Sequence, residues 1–170
     1  MLSTIDLDEF TRMAGLDLDA AQAADLREML HLHPESGKWR WPTWTVTDPR
    51  SDASVIARAL IGLLLLDENV LWTAPRRPFL RDAFERLVRA VNQLDAADTV
   101  KVRRANGEER IERLDTGKRI QFICTHLSGS GRGYSCDLLV VGQGSKYTER
   151  VACDLMPTMA ARPNPQIVYV

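Results

Sequence analysis

The sequence is poor in the features that announce the simplest function classes. It has three cysteines in 170 residues, Cys124, Cys136 and Cys153, with no Cys-x-x-Cys spacing. A scattered, odd set argues against a disulfide framework and a thiolate metal site, and for a reducing compartment. Long apolar runs are missing. The strongest, Ala59 to Leu66, is eight residues, far short of the about 20 needed to span a bilayer. The start, Met1-Leu2-Ser3-Thr4-Ile5-Asp6, has neither the basic opening nor the apolar core of a secretory leader. Net charge is also missing: Lys+Arg is 22 and Asp+Glu 23, a formal balance of -1. That excludes a strongly basic nucleic-acid binder at whole-chain level, while leaving room for a local patch. A soluble, cytoplasmic protein is expected, with no membrane partner.

What is present fits one globular domain. The apolar fraction is 45% and the charged fraction 26%, both near the globular average. Charge is unevenly placed. Residues 1–37 are acidic, with Arg12 and Arg27 their only basic groups, whereas residues 75–119 are net basic. Around Arg76, Arg77, Arg81, Arg103 and Arg104 this reads either as a solvated face or as a surface for phosphate or DNA.

Helices are expected from Asp6 to Ala14, stopped by Gly15, and from Asp19, as N-cap, to Leu30. His33 to Lys38 reads as a turn, and Trp39 to Thr47 as an aromatic, β-branched strand. A buried helix follows over 53–66, then a strand Val70–Ala74 and an amphipathic helix Phe79–Leu94. Arg110–Leu114 and Arg119–Ile123 flank Asp115-Thr116-Gly117 as a β-hairpin. A glycine-rich loop spans Ser128 to Ser135. Asp137–Val141 is an unbroken apolar strand of the kind covered on both faces. Tyr147–Met159 reads as a helix interrupted by Pro157, and Gln166–Val170 as a last strand. Alternating strands and helices give an α/β fold with a mainly parallel sheet. A helical segment over 1–37 and an α/β core over 38–170 form one domain.

The order of these segments, with Ser130-Gly131-Arg132-Gly133-Tyr134-Ser135, Val70–Ala74 and the run Leu155-Met156-Pro157-Thr158-Met159-Ala160-Ala161-Arg162-Pro163-Asn164-Pro165-Gln166-Ile167, resembles the ATPase domain of the large subunit of tailed-phage terminases. The resemblance covers nearly the whole chain but only the front part of the family's length, without its C-terminal nuclease domain. It implies a truncated, P-loop NTPase-like, three-layer core plus the hairpin. It also implies the cytoplasm of a bacterial host, a phage or prophage origin, and a role around viral DNA packaging.

The same resemblance marks the nucleotide site, and there the residues depart from it. Gln22 matches the family's adenine-reading glutamine. Pro49-Arg50-Ser51-Asp52-Ala53-Ser54-Val55 stands where the family has a phosphate loop of the type Pro-Arg-Gln-Asn-Gly-Lys-Thr. Ser54 replaces the lysine, Ala53 the glycine and Val55 the Mg²⁺-holding hydroxyl, while Asp52 adds a negative charge. At the end of the Asp137–Val141 strand the family has Asp-Glu, for metal and base. Here Gly142 and Gln143 follow, and neither supplies a carboxylate. The family uses ATP and Mg²⁺; this chain is expected to hold neither, and to be a degenerate ATPase-like protein without hydrolysis. It would then be a module docking on a packaging motor, portal or DNA, or an inert remnant. A working ATPase would need compensating cations from Arg50, Arg76, Arg77 or Arg132. Arg76, Arg77 and Arg132 are also the candidate phosphate or DNA contacts, and such DNA binding would be weak. The family order places Gln166–Val170 centrally, between the strands ending at Thr47 and Val141, and leaves apolar surface that invites self-association.

The remaining constellations are bland. His31 and His33 lack the further ligands a metal site needs. Cys136 reads as a core thiol. Trp39, Trp41 and Trp44 could stack on bases but read as strand packing.

Overall fold

The computed structural model describes residues 6–48, 52–105, 107–125, 133–142 and 154–170. Asp6 accepts from the N–H groups of Asp8 and Glu9 and starts α1 (Leu7–Met13), which Gly15 at φ +66° brings to an end. Asp19 and Gln22 form a reciprocal capping box on α2 (Ala20–Met29). Then come β1 (Thr43–Thr45), α3 (Ala53–Leu65), β2 (Val70–Ala74), α4 (Arg77–Gln93), β3 (Val100–Arg103), β4 (Arg110–Arg113), β5 (Arg119–Cys124), β6 (Leu138–Val141) and β7 (Gln166–Tyr169).

The seven strands form one sheet in the order β1-β7-β6-β2-β5-β4-β3. The β1–β7, β7–β6, β6–β2 and β2–β5 pairs are parallel; β5–β4 and β4–β3 are antiparallel. The late strand β7 is therefore inserted between β1 and β6, as expected from the sequence. β2 and β6 are buried at every position. Val70, Trp72, Ala74, Val140 and Val168 pack beneath α2, α3 and α4 on one face. Leu71, Leu139 and Val141 pack with Leu155, Met159 and Cys136 on the other.

The structure redraws three sequence-based boundaries. The strand expected over 39–47 shrinks to Thr43–Thr45. Pro42 brings no N–H to the ladder, and Trp39 makes only a lone bridge to Leu32. Strand β3, unassigned from sequence, pairs with β4 and extends the hairpin to three strands. Helix α4 begins at Arg77, with Pro78 in its first turn, two residues before the expected Phe79. Of the helix expected over 147–159, residues 147–153 lie outside the described residues; Met156–Thr158 forms a 3-10 turn at Pro157.

One charged residue sits in the middle of the core. Arg58, on α3, is fully buried. It donates from Nη1 and Nη2 to Glu68 at 2.6 and 3.1 Å, and from Nε to Gln166 Oε1 at 3.0 Å. Gln166 Nε2 donates to the carbonyls of Met29 and Trp41 at 2.8 and 3.0 Å. The guanidinium lies 4.7 Å from the centre of the buried Trp39 ring. This network ties α2, α3 and the β1 entry to β7. Gly62 makes room for it: a Cβ there would come 2.5 Å from Glu68 Oε2.

The core thiol is equally enclosed. Cys136 is buried beside the Thr158 hydroxyl at 3.4 Å, and burial pushes its pKa up from 9.0 to about 11. A raised pKa means that the folded state holds the proton more tightly than the unfolded chain. Its contribution to stability is complete below pH 9.0 and is lost as pH rises through about 11. Melts across this window are expected to fall more steeply for the wild type than for Cys136→Ala. Equal slopes would refute the assignment.

Candidate functional site

Four parallel neighbours, β1, β7, β6 and β2, end at one edge of the sheet, where open α/β sheets place their ligands. Backbone bonds continue past the strand ends. Val46 N–H donates to Tyr169 O, Val170 N–H to Val141 O, and Gly142 N–H to Thr73 O, at 3.0, 3.0 and 2.7 Å. Helix α3 begins beside this edge, and α4 begins there too because it follows β2 directly. The site-bearing residues of both helices are thus brought to one rim.

Several side chains on that rim are buried or already paired. Ala53, Ser54 and Val55 form the first turn of α3 and are all buried. Ser54 is wholly enclosed, and its Oγ has no hydrogen-bond partner among the described residues. Asp52 occupies the N-cap position of α3 without capping it; its carboxylate is bound by Arg86 of α4. The negative charge expected to face the phosphates is therefore neutralised from a neighbouring helix. Arg86 is itself half-buried, and burial, then the charge of Arg89, lower its pKa from the usual arginine value. At the end of β1, Thr47 donates its N–H and hydroxyl to the buried Asp25 at 2.9 and 2.8 Å.

Gly142 is buried at the end of β6. A Cβ added there would meet the Thr73 carbonyl oxygen at 2.8 Å and Ala74 Cβ at 3.3 Å. A side chain at position 142 would thus meet backbone. Arg76 is the N-cap of α4 and Arg77 its first residue, at the carboxyl end of β2. Gln22 does not point a free amide at the rim: its Oε1 accepts from Asp19 N–H at 3.0 Å. Arg50, Ser51, Arg132 and Gln143 lie outside the described residues. No group of three or more His, Cys, Asp or Glu side chains is placed to hold a metal among the described residues. No helix among them is long and apolar enough to cross a membrane.

Sequence reasoning missed Arg86 and Asp25. Each is a partner of a rim residue, Asp52 and Thr47, and those pairings join positions 34 and 22 residues apart. The available signal was an arginine on the α3-facing side of an amphipathic helix.

No family model and no curated protein matches the chain. Solved structures do. A mutant form of the ATPase domain of the Thermus phage P74-26 large terminase matches with a TM-score of 0.71 over 95% of this chain and 68% of that one, at 15% identity. The fold is similar to that of this terminase ATPase domain. The HK97 bacteriophage large terminase matches with a TM-score of 0.70 over 90% of this chain, at 13% identity. The chain spans 33% of that protein's length.

Proposed function

We propose that this chain is a terminase-type ATPase domain that has lost nucleotide hydrolysis and acts as an interaction module in phage DNA packaging. The observation that carries this reading is Gly142: the position needed for a metal-supporting carboxylate is a buried glycine with a backbone oxygen where a side chain would begin. Phosphoryl transfer rests on positioned cations and charge neutralisation. Ser54 brings no cation, Val55 no hydroxyl, and the Asp52 carboxylate is committed to Arg86. The residues present do not fit Mg²⁺–ATP as the family holds it.

The partners this reading implies are packaging proteins: an intact terminase chain, a portal, or a second copy of this chain. Arg76 and Arg77 offer DNA at most a weak, salt-labile contact, because the whole chain carries -1.

Phosphate release by the purified protein, with Mg²⁺ and with or without DNA, is expected to stay at the blank. Ser54→Lys alone is expected to leave it there, since that side chain is enclosed and the metal positions stay empty. Turnover well above blank that disappears in Arg132→Ala would overturn the reading.

A further inference from the structure

A cleft of about 290 Å³ lies on the helical side of the molecule. Its walls are the α1–α2 turn (Ala14, Gly15, Leu16 and Asp17), the first residue of α3 (Ala53) and one face of α4. No strand residue lines it among the described residues, and it adjoins the strand-end rim at Ala53. Its α4 wall carries Arg86, Arg89 and Gln93.

Arg86 and Arg89 are three residues apart on that helix and so share a face. Burial first, and then the charge of Arg89, lowers the Arg86 pKa; two like charges on one face raise each other's cost. One anion relieves it, the Asp52 carboxylate on Arg86. Asp52 leaves its own helix uncapped to do so, although an N-cap aspartate ordinarily serves the helix that it begins. Arg89, Gln93 and Asp17 have no hydrogen-bond or ion-pair partner among the described residues. The cleft thus holds one half-satisfied cation, one unsatisfied cation, and space between them and the opposite wall.

We propose that this cleft binds the phosphate group of a small phosphorylated molecule between the guanidinium groups of Arg86 and Arg89, with Asp52 as the internal competitor for Arg86. The planar guanidinium fork matches a tetrahedral oxyanion through paired N–H donors. Asp17, on the opposite wall, repels a bare polyanion and favours a ligand with an O–H or N–H donor away from its phosphate. This site shares Asp52, Ala53 and Arg86 with the rim, but its ligand would sit between α4 and the α1–α2 turn, so its occupancy does not require hydrolysis at the strand ends.

The test is a titration of the ¹⁵N-labelled protein with inorganic phosphate at constant ionic strength. Saturable shifts are expected at Gly15, Ala53 and Gln93. Asp52→Asn frees Arg86, keeps a good N-cap residue and is expected to tighten binding several-fold. Arg89→Gln, at an exposed position where folding is not at stake, is expected to weaken it about tenfold, the size of one lost charge-assisted hydrogen bond. Absence of saturable binding in Asp52→Asn, equal affinity in Arg89→Gln, or shifts centred on Gly142 and Val170 would each overturn the proposal. A phosphate-release assay that stays at blank throughout keeps this result separate from the loss of hydrolysis.

Discussion

Replacing Arg58 with methionine is expected to cost about 3–5 kcal/mol, the usual penalty for removing one partner of a buried ion pair. The loss is large because the survivors cannot reach water. Glu68 would keep a carboxylate in the core with no counter-charge, and Gln166 Oε1 would lose its donor. Glu68→Met is expected to cost a similar amount, stranding the guanidinium over the Trp39 ring. The double replacement should recover most of either loss, since two apolar side chains of similar volume carry no uncompensated charge. Urea midpoints with an unchanged m-value report this directly. Additive single and double costs would show that the two side chains do not act as a pair.

The second large effect falls on an attempted restoration. Gly142→Asp supplies the carboxyl group that the resemblance to terminases leads one to expect at this position, yet it is expected to destabilise rather than repair. The new Cβ would enter the 2.8 Å contact with Thr73 O, and a main-chain oxygen in the middle of a sheet cannot swing aside as a side-chain tip can. Overpacking of this kind costs about 1–3 kcal/mol, and a carboxylate without a buried partner adds to it. Gly142→Ala separates the two contributions, because it carries the steric part alone. Both variants should melt below the wild type, Asp lower than Ala, and Gly142→Asp combined with Ser54→Lys should still release no phosphate. A Gly142→Asp protein that melts like the wild type would show that the strand end has room for a side chain.

How much of this was legible depended on the range of the cause. β2 was placed to the residue because its apolar run is bounded by polar groups on one side and proline on the other, which is local information. α1 and α2 were equally readable, since Asp6, Asp19 and Gly15 act on their own helix ends. β3 escaped although Val100 and Val102 alternate with Lys101 and Arg103; four residues are too few to stand out without the partner strand. The strand over 39–47 was overdrawn because aromatic and β-branched residues favour extended chain whether or not a neighbour pairs with it. At the site, the absence of the lysine and carboxylate that the resemblance led one to expect was local information. That Gly142 is closed off by Thr73, or that Asp52 is held by Arg86, depends on elements far apart in the chain.

The insertion of β7 between β1 and β6 also sets the order in which the molecule can be made. Among the described residues β1 has no sheet neighbour other than β7, and Gln166 reaches back across 125 residues to the carbonyl of Trp41. During synthesis, the segment around β1 leaves the ribosome with its only strand partner still untranslated. Such distant closures must be assembled before they return any stabilisation, which makes folding slow and leaves a period of exposure. The nascent chain therefore has to shelter an unpaired β1 and the open flank of β6 until β7 emerges. A chaperone acting on this protein would find its work at that stage.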